Sequence, residues 1–359
     1  MKKGNFFITG LLTLLTACGL ILNGCALLQG LLGGSAPEEV IDVASFTNRS
    51  MLQSVSRVTE DGLPKTDPVI SPDGTKLLYC ETKRVKDTAT GQETTQSDIV
   101  MLRNVNSSAK TPLVTTGNAF TPGWYEDSTR ILYGFYENNT RRIVRSSSAG
   151  GGRTNITRNP VGTTDSSPRI RNGVILIDTW ESGNWYIYSM RENGSDVTRL
   201  GQGYDPSWHP TELKFLYVKE LTPGTRYPTG LWEMDLTTMQ ETLLFEMRPY
   251  NIRKPQYTYD GSYIVFQRGS EQIVTGTQVT TITTSGSQSR TRRNTAGTEV
   301  RWQLYAINAD GTNESVLTEG NVDCTFPTLD QYNNLFFISN ASGLRSNRTE
   351  IYKARLNFE

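Results

Sequence analysis

Side chains able to do chemistry are few in this chain and far apart. His209 is the sole histidine among 359 residues, and it stands in Pro206-Ser207-Trp208-His209-Pro210. A hydrolase of the Ser-His-Asp kind would have to use it as general base, yet no Gly-x-Ser-x-Gly elbow accompanies it. The four cysteines, Cys18, Cys25, Cys80 and Cys324, lack the spacing of a zinc site. Three aspartates, Asp67, Asp165 and Asp205, each stand one to three residues before a proline. Brought to one point, they could hold a divalent cation for metal-assisted hydrolysis, because hard cations take clustered oxygens. Basic and acidic side chains balance at 36 each, so there is no electrostatic footprint for nucleic acid.

A repeat is what would bring those aspartates together. Asp67-Pro68-Val69-Ile70-Ser71-Pro72-Asp73-Gly74-Thr75-Lys76-Leu77-Leu78-Tyr79 reads as a strand, a tight turn and a second strand. Proline presets φ for the turn, and Asp-Gly supplies the positive-φ position that closes a hairpin. Aligned on the first proline, Thr121-Pro122-Gly123-Trp124 leads to Ile131-Leu132-Tyr133, and Asp205-Pro206-Ser207-Trp208 leads to Phe215-Leu216-Tyr217, at one common offset. Lys254-Pro255 and Phe326-Pro327 lead likewise to Ile264-Val265-Phe266 and Phe336-Phe337-Ile338. A sixth, shorter copy runs from Ser167-Pro168 through Asn172-Gly173 to Val174-Ile175-Leu176-Ile177. Third strands such as Tyr186-Ile187-Tyr188 follow, then fourth strands such as Val197-Thr198-Arg199-Leu200.

Four antiparallel strands per unit of roughly 50 residues, six times over, predict an all-β, six-bladed β-propeller. The Asp-Pro-x-x-Ser-Pro-Asp-Gly repeat, with its Ile/Leu-Tyr third strands and fourth strands ending in Leu-Thr, resembles the TolB-type propeller repeat over about residues 54–356. The resemblance implies a protein-binding propeller of the bacterial envelope and specifies no partner. TolB carries an additional N-terminal α/β domain, which here is replaced by a tether.

The N-terminus predicts export. Lys2 and Lys3 precede an apolar core from Phe6 to Leu15, too short to span a bilayer comfortably. Leu15-Thr16-Ala17-Cys18 resembles the bacterial lipobox, with Leu22-Asn23-Gly24-Cys25 as the alternative acylation site and an uncleaved anchor helix over 6–32 as a third reading. The expected layout is a signal peptide at 1–17, a lipidated tether at 18–50 and the propeller at 51–359. Two acyl chains would hold the propeller on a membrane, in the periplasm or at the cell surface. In that oxidising compartment Cys80 and Cys324, on neighbouring blades, are either bonded or two buried thiols. The last unit has three strands and Ser54-Val55-Ser56-Arg57-Val58-Thr59 is a fourth without a blade, so Val55 to Thr59 is expected to pair with Ile351 to Leu356 and close the ring.

For function, His209 replaces the turn serine Ser71 and reads as a repeat residue. Asp67, Asp165 and Asp205 could face the channel mouth, but Thr121 and Lys254 interrupt a ring of acids. Long connections between second and third strands, at 81–97, 220–230 and 268–301, share one face. The longest predicts a ribbon with a basic tip at Arg290, Arg292 and Arg293, with Tyr227 and Trp302 exposed beside the loops; Trp124 and Trp208 fill the blades. The expected function is a non-enzymatic scaffold without cofactor that recruits another envelope protein. The alternatives are a lactonase-like hydrolase with a metal in the central channel and a carbohydrate-binding module. Mass spectrometry of the mature N-terminal peptide should find acyl groups on Cys18; acylation at Cys25, or a retained Met1, refutes that assignment.

Overall fold

The computed structural model describes residues 46–358 except 87–90, 92, 108, 158–160, 223–227, 275–277, 285–287, 295–296, 321 and 342–347, with backbone alone over 270–300. Expectations for the signal peptide, Cys18, Cys25 and most of the tether lie outside the described residues. Six four-stranded antiparallel sheets follow one another along the chain, and no helix occurs among the described residues. Their innermost strands are Lys65–Ile70, Ala119–Trp124, Ser166–Arg171, Tyr204–Trp208, Asn251–Tyr257 and Cys324–Leu329, defining blades one to six. This is the six-bladed propeller that the repeat predicts.

Each second strand reads as a continuous apolar run because both of its faces are covered. In blade one, Leu77 and Tyr79 pack with Phe336, Ile338 and Ile351 of blade six. Leu78 and Cys80 pack on the opposite side with Trp124, Ile131 and Tyr133 of blade two. Alternation along the strand thus becomes a division between neighbouring blades. It also settles the cysteines. Cys80 faces blade two, whereas Cys324 packs with Val265 and Leu304 of blade five, so the two point apart and both are free and buried.

In blades three and five the turn between third and fourth strands presses on the preceding blade. A Cβ on Gly311 (φ +87°) would lie 2.0 Å from the Leu244 carbonyl oxygen, and one on Gly194 2.1 Å from that of Ile156. Only glycine satisfies both the positive φ and that contact with the preceding blade.

Closure of the ring follows expectation, with a shifted register. Leu52–Arg57 pairs antiparallel with Glu350–Leu356, from Leu52 opposite Leu356 to Arg57 opposite Tyr352, with a bulge between Gln53 and Ser56. The shift toward the N-terminus buries Leu52, which fills the core between blades five and six. Thr59 then acts through its side chain: its hydroxyl accepts from the Ile351 N–H at 3.0 Å. Thr318 does the same for Leu304 N–H in blade five (2.9 Å) and Thr157 for Ile143 N–H in blade two (2.8 Å). The N-terminal segment is therefore a true fourth strand, detached from its blade in sequence only.

Deleting residues through Gly62 removes the Leu52 side chain, whose burial alone is worth about 1.5–3 kcal/mol, and bares the Glu350–Leu356 strand edge. Lower thermal stability and soluble aggregates on size-exclusion chromatography are expected; unchanged stability and a monomeric profile would show that closure is dispensable.

Candidate functional site

The residue before the repeat proline governs the axis. At Asp67, Thr121, Ser167, Asp205, Lys254 and Phe326 the backbone takes φ between 45° and 54°. Each sits in a bulge of the innermost strand, where the register with the second strand slips. A non-glycine residue pays to adopt this region, and a bulge re-aims the side chain it displaces. Here the same distortion recurs in all six blades, and all six side chains line one cavity of about 640 Å³.

Asp67 and Asp205 are therefore placed at the channel, as the repeat predicts, but Asp165 is not. It is fully buried two residues upstream and accepts from the Val161 and Gly162 N–H groups (3.1 Å each) and the Thr179 hydroxyl (2.9 Å). Burial pushes its carboxyl above the ordinary range, against those hydrogen bonds. Its work is to tie the connection entering blade three, and Ser167 takes the axial position. The weakness of the sixth repeat copy hid this: Asp165 precedes the motif proline by three residues, Asp67 and Asp205 by one.

Lys254 organises the axial charges. Its Nζ lies 3.2 Å from Asp67 Oδ1 and 2.9 Å from Asp205 Oδ1, while Arg253 Nε donates to Asp205 Oδ2 at 2.6 Å. Asp178 accepts from the Asp205 N–H at 2.8 Å and from the Ser166 hydroxyl. Burial would raise the Asp205 carboxyl, but Arg253 and Lys254 outweigh it and hold the group well below the usual carboxylate range. The same carboxylates overcome burial at Lys254 and raise its ammonium. Arg169, on the floor of the channel, goes the other way: burial lowers its guanidinium, only partly offset by Asp67, Asp178 and Asp205. An ammonium thus stands between the two axial carboxylates, and among the described residues no three His, Cys, Asp or Glu side chains converge to hold a metal ion.

His209 occupies the turn, as its place in the repeat indicates. Its N–H bonds the Lys214 carbonyl as Ser71 bonds Lys76. Nδ1 accepts from the Thr211 and Glu212 N–H groups, and the ring meets Tyr257 edge-on at 4.6 Å. Burial lowers its pKa.

The cavity opens on the face of the second-to-third connections, since its rim includes the Trp180–Trp185 hairpin of blade three. These two indoles, 5.6 Å apart at 67°, were not singled out by the repeat. Their signal in the sequence is two tryptophans flanking Glu181-Ser182-Gly183-Asn184, in a connection too short to stand out by length. Trp124 is buried and Trp208 partly so, both within blade packing.

The long connections rise from the same face. In blade one the hairpin extends to Lys86 opposite Glu93. In blade five the strands run out to Val274 opposite Gly297, followed by a separate two-stranded hairpin, Gln278–Thr284 with Gln288–Asn294. Arg290, Arg292 and Arg293 stand in its returning strand, opposite Ile282, Thr280 and Val279. Trp302 is partly buried and its backbone N–H donates to Asp323 Oδ1 at 3.0 Å; it does not line the cavity. Tyr227 lies outside the described residues.

No protein-family model matches the sequence, and no curated protein matches it. Solved structures show the fold. A TolB-like protein of Agrobacterium tumefaciens aligns with 84% of this chain and 97% of its own at a TM-score of 0.54 and 12% identity. TolB of Acinetobacter baumannii aligns over 82% of this chain and 65% of its own, at 0.50 and 15% identity. The gluconolactonase XC5397 of Xanthomonas campestris aligns over 89% and 95%, at 0.55 and 11%. The architecture is a six-bladed propeller of the kind these TolB structures and the gluconolactonase have.

Replacing Lys254 by Met takes the ammonium from Asp67 and leaves Asp205 with Arg253 alone, and should destabilise the protein by about 2 kcal/mol, read from urea denaturation. Adding Asp67→Asn should recover part of that loss. A neutral Lys254→Met would show that the axial network is not structural.

Proposed function

We propose that this chain is a membrane-tethered envelope lipoprotein whose propeller is a non-enzymatic scaffold, recruiting another envelope protein through the face that carries the long hairpins. One observation carries the reading: the blade-one and blade-five hairpins both project beyond their sheets on the face where the axial cavity opens. Long surface extensions add chain entropy without adding core, and on a rigid scaffold such segments commonly serve recognition. The arginines Arg290, Arg292 and Arg293 in the outer hairpin favour an acidic partner and a salt-sensitive association. Tethering rests on the Leu15-Thr16-Ala17-Cys18 motif, and a place outside the cytoplasm follows from it. A scaffold rather than a hydrolase is favoured by the axis, where Lys254 bridges the two carboxylates that a channel metal would need.

Photocross-linking in the native envelope tests this. A cross-linking amino acid at exposed Thr94, in the blade-one hairpin, should capture an envelope protein; one at exposed Met239, on the opposite face, should not. Replacing Gln272 to Gly297 by a short Gly-Ser turn should leave the melting temperature unchanged and abolish capture. Capture from Met239 alone, or capture undiminished by the shortened ribbon, overturns the proposal.

A further inference from the structure

The axial cavity has a lining that protein recruitment by the hairpins does not use. Trp180 is 38% exposed, the most exposed tryptophan among those described, and it stands at the rim with Trp185. Leaving an indole in water is unfavourable, and here two are held at 67° to each other directly across a hairpin. The remaining lining is mostly polar, with the rings of Tyr204 and Phe326 among it. Asn184 and Arg253 bring N–H donors, while Asp67 and Glu220 bring acceptors. Pockets of several hundred Å³ with an apolar wall and a few convergent polar groups are typical of small-ligand sites.

From this lining we infer that the channel mouth is a binding site for neutral saccharides, with Trp180 and Trp185 as the stacking platform. A pyranose ring has an apolar C–H face that an indole covers and hydroxyls that need donors and acceptors together. The charge balance decides against acidic sugars: Asp67, Asp178, Asp205 and Glu220 line the cavity against Arg253 and Lys254, and both cations are already engaged by Asp205 or Asp67. It is also a poor cage for a cationic side chain. The two further rings of the lining are already faced by cations, Tyr204 by the Arg253 guanidinium at 4.6 Å and Phe326 by the Lys254 ammonium at 5.6 Å. The inference is independent of the proposed protein partner, since the hairpins need not contact the cavity floor.

Isothermal titration of the full-length protein in detergent, with cellobiose, maltotriose, N,N′-diacetylchitobiose, digalacturonate and a tetralysine peptide, tests it. Saturable binding of at least one neutral saccharide is expected, weakened about tenfold by Trp180→Ala, the scale of one lost stacking contact, and less by Trp180→Phe. Asn184→Ala, which leaves both indoles in place, should also weaken binding, and thermal melts should show all three variants folded. The inference is overturned if no neutral saccharide binds at millimolar concentration, if Trp180→Ala and Asn184→Ala both bind as the parent does, or if digalacturonate binds more tightly than the neutral sugars. Tryptophan-dependent binding of tetralysine alone would overturn it in favour of a cationic peptide.

Discussion

Lys65 and Glu350 form an ion pair at 3.2 Å with both side chains sealed from solvent, at the seam where the first blade meets the last. Two charges out of water cost several kcal/mol each unless the remaining donors and acceptors are satisfied. Here they are. Glu350 also accepts from the Thr59 hydroxyl and the Gly62 N–H, and Lys65 donates to Asp61 and to the Leu63 and Thr349 carbonyls. The network binds the N-terminal strand, the first strand of blade one and the third strand of blade six at a single point. Consecutive blades are linked by the chain itself and by hydrogen bonds such as Trp124 Nε1–H to the Val69 carbonyl, whereas blades one and six meet where the ring closes, so the register of that seam depends on this junction.

The axis obeys a second constraint. Six bulged residues with positive φ converge, and identical side chains there would repel or leave a hole. The chain supplies two acids, a lysine, two hydroxyls and a phenylalanine instead. Lys254 neutralises across the channel, and its ammonium lies 5.6 Å from the Phe326 ring. Breaking the repeat at this position is thus what lets the channel be charged and still stable.

The two faces of the disc divide the labour. Compact turns occupy one face, and in blades three and five they press on the preceding blade through Gly194 and Gly311, where there is no room for a Cβ. The other face carries the extended hairpins, the tryptophan pair and the cavity mouth. Variation on that side costs the blades little, because their cores lie between the sheets and not at the rim.

Much of this was legible in the residues alone. The proline-aligned apolar triplets specify six blades, because a strand covered on both faces must be apolar throughout. The N-terminal strand announces itself by ending, like Val316-Leu317-Thr318, in a threonine that caps the neighbouring strand. His209 is placed by its turn. What the sequence did not reveal was proximity across the ring. Asp165 and Asp205 look alike beside their prolines, yet a two-residue difference in position sends one into a loop and the other to the axis. Trp180 and Trp185 sit in an ordinary short hairpin, and only the convergence of blades three and four around the channel turns them into a wall of a cavity. Local strand and turn preferences act over a few residues and are written in neighbours. The meeting of side chains from six blades depends on how the ring closes, and that is decided by the packing of the whole chain.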